Sequence, residues 1–199
     1  METTSRRFTA MSAIQVMPDN ARASTGRRRA TAGRTAVRRV TPQDWLVLRD
    51  LRLRALRSDP LSFGSAYERE AAFSEGDWMQ WAADDALGDE MATFIADRER
   101  QPMGIVGAYR DESEPMLFHV IAMWVAPEGR REGLGRRLLS HVEAWIRSCG
   151  GRVVQLNVTT TAVAARRLYE TAGFEPDGDR RESRHTRGLV EVSLRKRLF

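Results

Sequence analysis

Residues 126–139 read APEGRREGLGRRLL, and the reading of this stretch decides the fold. Just before it, Val120 to Ala126 is an unbroken apolar run stopped by Pro127, as expected of a buried strand. After it, Leu134, Leu138, Leu139, Val142, Trp145 and Ile146 recur at helical spacing, and the pair of glycines at 150–151 ends that helix. A strand feeding a glycine-rich turn and a helix N-terminus makes an anion site. The first-turn N–H groups have no intrahelical partner, and the helix dipole favours negative charge beside them. Gly133 and Gly135 keep side chains out of the approach, while Arg130, Arg131 and Arg136 add charge-assisted grip on phosphate oxygens. Two familiar phosphate loops are excluded. No Lys-Ser or Lys-Thr follows these glycines, and Leu138 stands where a dinucleotide fingerprint needs its third glycine.

Working outward, a short strand is expected over 37–40, then a helix over 41–57 with Thr41 as N-cap, Pro42 at the first helical position and Asp44 in the first turn. SDPLSFGS is a loop, and Trp78, Trp81 and Ala82 mark the apolar side of a helix over 75–86. Strands over 91–96 and 103–110, joined by DRERQP, precede the long strand 116–125. The second half reads as helix 133–149, strand 153–158, helix 162–172 capped by Thr161 and closed by Gly173, then strands 174–180 and 188–195. Helices crossing between strands describe an α/β (α+β) chain with one mixed sheet.

The formal net charge of +5 invites a nucleic-acid reading, but its source is local. Residues 1–35 carry seven arginines against Glu2 and Asp19, which accounts for the whole excess and leaves the remainder neutral. This Thr-, Ser-, Ala- and Arg-rich stretch reads as a disordered extension. A transit peptide, a nucleic-acid-touching arm and a dispensable extension ahead of a start at Met11 or Met17 all fit its composition. The folded domain then covers 36–199. No apolar run is long enough to span a bilayer. The single cysteine, Cys149, and three scattered histidines offer neither a disulfide nor a metal cluster, which suits a cytoplasmic setting.

VAPEGRREGLGRRLL, followed downstream by VVQLNVTTTAVAARRLYETAGF, resembles the two signatures of the GNAT N-acetyltransferase superfamily. Either segment alone is weak, but the pair in this order and spacing is specific. The likeness extends over about 36–196 and is strong over 116–174. It implies a GNAT acyl-CoA N-acyltransferase fold: a mixed six- to seven-stranded sheet with about four helices, splayed between its fourth and fifth strands. It also implies acetyl-CoA as co-substrate and no metal. Its pyrophosphate would lie on the backbone of Arg131, Glu132, Gly133, Leu134, Gly135 and Arg136, with Arg130 at the motif's first position. Met123, Trp124 and Val125 would line the pantetheine arm. Where the family often has Asn, this chain has Ala162, so a side-chain bond to the coenzyme is lost or supplied elsewhere, for example by Asn157 or Thr161.

By the same resemblance, Tyr169 is the acid that protonates the departing thiolate, the plainer alternative being helix packing. His119 interrupts the apolar strand where histone-acetylating relatives carry a base glutamate, and histidine suits proton transfer near neutral pH. A polar residue satisfied at a strand edge is the alternative. The implied reaction is direct attack by a primary amine of a small molecule or protein, in a ternary complex with acetyl-CoA. A non-catalytic acyl-CoA-binding module and a nucleic-acid partner acting through the tail are the competing readings. Homodimerisation stays open. Residues 68–90 hold eight carboxylates against Arg69, either a solvated helix face or an attractor for a cationic amine.

Overall fold

The computed structural model of the chain describes residues 35–183 and 188–199. The expectations for the basic tail therefore lie outside the described residues, except that Thr35 already opens the first strand. The strands are β1 (Thr35–Arg39), β2 (Met91–Arg98), β3 (Gln101–Arg110), β4 (Leu117–Val125), β5 (Val153–Thr159), β6 (Glu175–Glu182) and β7 (Val190–Arg197). The helices are α1 (Trp45–Ser58), α2 (Tyr67–Ala71), α3 (Glu75–Ala86), α4 (Leu134–Ser148) and α5 (Val163–Thr171). The strands form one sheet in the order β1-β2-β3-β4-β5-β7-β6, in which only β4 and β5 run parallel.

Adjacent residues of β2 show the layering. The Thr93 hydroxyl reaches Asp85 of α3, while the ring of Phe94 meets Trp145 of α4 edge-on at 6.5 Å. Helices α1 and α3 thus cover one face of the first four strands and α4 covers the other. Leu134, Leu138, Leu139, Val142 and Ile146 are buried, as the periodicity predicts. Each such side chain contributes roughly 1.5–3 kcal/mol on burial.

Local differences from the sequence reading have local causes. The β2–β3 connection shrinks to Glu99 and Arg100, both at positive φ (51° and 68°), so both strands run further than expected into the DRERQP segment. The short α2 was unmarked, because five residues carry too little periodicity to show it. Thr161 does not cap α5. The N-cap is Ala162 without a side-chain bond, and the Thr161 hydroxyl lies 3.2 Å from that of Thr159 instead.

Candidate active site

Strands β4 and β5 pair over three positions only: Leu117 with Val153, Phe118 with Val154 and His119 with Gln155. Beyond His119 they part, so the edge of β4 from Val120 to Val125 has no strand beside it on that side. A bulge sharpens the divergence. The β3–β4 register slips between Ile105 and Gly107, and Ala122 takes φ 53°, adding twist where the strands separate. The sheet therefore opens as a V with β4 and β5 as its arms. The arginine–glycine loop follows directly from the open end of β4.

In that loop, Arg131 (φ 65°) and Gly133 (φ 79°) both adopt left-handed backbone, turning the chain sharply into α4. Among the described residues, no backbone acceptor takes the N–H groups of residues 131–136; the first inward bond is from Arg137 to Gly133 O. Six successive amides are thus available to an anion at a helix N-terminus. The two glycines differ in purpose. A Cβ on Gly133 would meet nothing within 4 Å, so its backbone conformation is what requires glycine. A Cβ on Gly135 would lie 2.9 Å from Leu168 Cδ2 and 3.3 Å from Met123 Cε, so this glycine lets α5 and β4 close on α4.

The arginines also divide. Arg131 and Arg136 are exposed, without ion-pair partners among the described residues. Arg130 turns inward: its Nε donates to Val125 O at 2.9 Å and its Nη2 to Asp59 Oδ2 at 2.9 Å. The same Asp59 oxygen accepts from Trp124 Nε1 at 2.7 Å. Its carboxylate is 1% exposed and needs a cation, so it holds Arg130 as an internal clamp instead of an outward phosphate grip. This corrects the expectation that all three arginines point to a ligand, and it occupies the Val125 carbonyl. Glu132 is tied to Arg98 at 2.9 Å and Glu128 to Arg54 at 3.0 Å, bracing the loop from both sides. A cleft of about 310 Å³ lies against this end of β4, lined by Arg54, Arg57, Ser58, Trp124 and Pro127.

Tyr169 is completely buried in α5, with its ring 5.8 Å from Phe174. Burial pushes its phenol pKa well above the ordinary value, so the group stays protonated. His119 sits at the root of the V, stacked 4.9 Å from Tyr109, with Nε2 2.7 Å from Asp111 Oδ2. Burial alone would raise the Asp111 carboxyl. Hydrogen bonds from the Ser113 hydroxyl, the His119 ring and the amides of Ser113 and Glu114 outweigh that and hold it well below the carboxylate range. An ionised Asp111 can only accept, so His119 Nε2 donates to it. Asn157 is half-buried in β5 opposite Ser193.

The family model for the acetyltransferase (GNAT) family matches residues 50–174. The chain belongs to the GNAT acetyltransferase family. No curated protein matches it significantly. Among solved structures, a GNAT-family acetyltransferase from Streptococcus pneumoniae superposes with TM-score 0.72 at 22% identity, covering 83% of this chain and 100% of that one. The ribosomal-protein-alanine N-acetyltransferase of Brucella melitensis gives 0.69 at 21% identity, covering 82% and 99%. An acetyltransferase from Salmonella typhimurium, solved with its cofactor acetyl-CoA, gives 0.65 at 15% identity, covering 83% and 94%. At these identities the likeness is one of fold.

Within this GNAT domain the acidic segment 68–90 is largely committed to folding. Glu70 pairs bidentately with buried Arg52 at 2.7 and 2.8 Å. Asp77 caps α3 with Ser74, Asp84 accepts from Gln80, Asp85 accepts from Thr93 and Trp81, and Asp89 and Glu90 pair with Arg110. Sequence reasoning missed Asp59, Asp111 and Glu191. The alternation Val190-Glu191-Val192-Ser193-Leu194-Arg195 does assign Glu191, Ser193 and Arg195 to one strand face, but only the register shows what they share it with.

Proposed function

We propose that this chain transfers an acetyl group from acetyl-CoA to a primary amine of a small molecule or protein, by direct attack within a ternary complex. The run of unpaired amides at 131–136, opening beside the β4–β5 gap, carries the reading. These residues fit a pyrophosphate, with Arg131 and Arg136 beside it. The end of β4, Met123 to Val125, and Asn157 and Thr161 across the V fit the pantetheine arm. When bound, acetyl-CoA supplies the activated acyl thioester.

The chain's own residues handle the protons. An alkylammonium with pKa near ~10.4 must lose its proton, at a cost of roughly 4–5 kcal/mol at pH 7. His119 Nδ1 accepts that proton, with Asp111 fixing the tautomer from the other side of the ring. Tyr169, kept protonated by burial, donates to the departing coenzyme thiolate.

Free-thiol detection with a panel of amines and peptides tests the activity: amine-dependent release supports it, and coenzyme binding without release on any acceptor overturns it. His119→Ala should lose the acid limb of the pH–rate profile. A variant retaining the parent profile would remove His119 from the base role.

A further inference from the structure

The carboxylate of Glu191 is 5% exposed, and its Oε1 has no hydrogen-bond partner among the described residues. Among the described residues its one cationic neighbour is held loosely: Arg181 Nε stands 3.6 Å from Oε2, beyond hydrogen-bond length, and that Nε is likewise without a hydrogen-bond partner. Other acids on the same strands are better served. Asp177 accepts from the Ser193 hydroxyl at 2.6 Å and pairs with Arg195 at 3.1 Å. A buried carboxylate with one oxygen left without a hydrogen bond is costly and calls for an explanation, and a ligand that completes it is one.

Register places this carboxylate. His119 lies beside Gln155, which pairs with Arg195, while Thr159 pairs with Glu191 and Glu191 with Arg181. Aligned residues share a face, so Glu191 stands on the side of the sheet that carries His119, away from core residues Leu156 and Leu194. Four residues of β5 separate the two rows, about 13 Å along the strand toward the open end of the V.

We infer that Glu191, about 16 Å from His119 once the two strand spacings between them are added to the roughly 13 Å along the strand, receives a second cationic group of the acceptor, with Arg181 as the internal cation that this group displaces. The inference rests on the acetyltransferase reading and on His119 marking the position of the reacting amine. It assigns the acceptor to extended amines with a distal positive charge.

The test compares 1,8-diaminooctane with 8-amino-1-octanol, of equal length but with a hydroxyl replacing one ammonium. Wild type should acetylate the diamine at least about tenfold more efficiently in kcat/KM. Glu191→Gln should erase that preference, with KM for acetyl-CoA unchanged. Arg181→Met, which removes the competing cation at a partly exposed position, should widen it. A purely structural ion pair predicts lowered stability in both variants and no change in preference. If Glu191→Gln fails to fold, the Arg181 variant decides alone. Calorimetric titration of the diamine into the coenzyme-A complex separates the two levels. Glu191-dependent binding without thiol release from acetyl-CoA would overturn the enzymatic reading and keep the site. Equal use of both amines by wild type, or a preference that survives Glu191→Gln, would overturn the site and keep the enzyme.

Discussion

Loop 131–136 carries its open amides in one continuous run, whereas the face bearing His119 gathers Gln155, Arg181 and Glu191 from three further strands. The loop presents backbone amides, which any sequence that turns the chain correctly will offer. The face presents single side chains, each placed by its register position. One part of the site therefore tolerates drift in side chains, while the other is free to specialise.

The largest expected effect probes the protons between these regions. Tyr169→Phe should lower kcat by about a thousandfold while leaving acetyl-CoA binding intact, because it removes the donor and nothing from the loop. Steady-state kinetics with coenzyme calorimetry checks this, and an unchanged kcat returns Tyr169 to a packing role.

Next comes the anchor beneath the loop. Asp59→Ala leaves Arg130 partly buried without its carboxylate and frees the Trp124 indole, so denaturant unfolding should show a loss of about 3 kcal/mol. Weaker acetyl-CoA binding should accompany it. A stable variant with parental affinity would show that the loop holds its shape without the clamp.

Asp85 sharpens the contrast with Glu191, since it too is a buried carboxylate. Burial pushes its pKa up to about 6, against the hydrogen bonds of Thr93 and Trp81. Between about pH 4 and 6 the folded chain thus holds a proton that the unfolded chain has released, so stability falls as pH rises through that window. Asp85→Asn should remove this slope and gain about 2 kcal/mol at pH 7, with KM for amines unchanged. A raised amine KM would instead place segment 68–90 in acceptor binding.

The smallest effect concerns backbone alone. Gly133→Ala has open space for its methyl group but must hold φ 79°, costing roughly 1 kcal/mol. Acetyl-CoA affinity should fall severalfold, and an unchanged dissociation constant would show that the turn absorbs the strain.

Much of the fold was legible because its signals are local. The apolar run ending at Pro127 and the spacing of Leu134, Leu138, Val142 and Ile146 report burial residue by residue. The glycine turn into α4 was legible for the same reason. The inward turn of Arg130 was not, because Asp59 lies 71 residues away in sequence and no pattern around either residue names the other. The use of segment 68–90 was equally hidden: composition counts carboxylates, whereas partners such as Arg52, Thr93 and Arg110 decide what each one does.

By itself the sequence determined the alternation of strands and helices, the glycine turn before α4 and the family, since these follow from periodicity and from conformations that few residues adopt. The tertiary structure decided which arginine turns inward, which glycine is steric, and which buried carboxylates keep an oxygen without a hydrogen bond among the described residues. Those properties depend on contacts between distant segments, and the registers of β4 with β5, β5 with β7 and β7 with β6 exist only once the sheet has assembled.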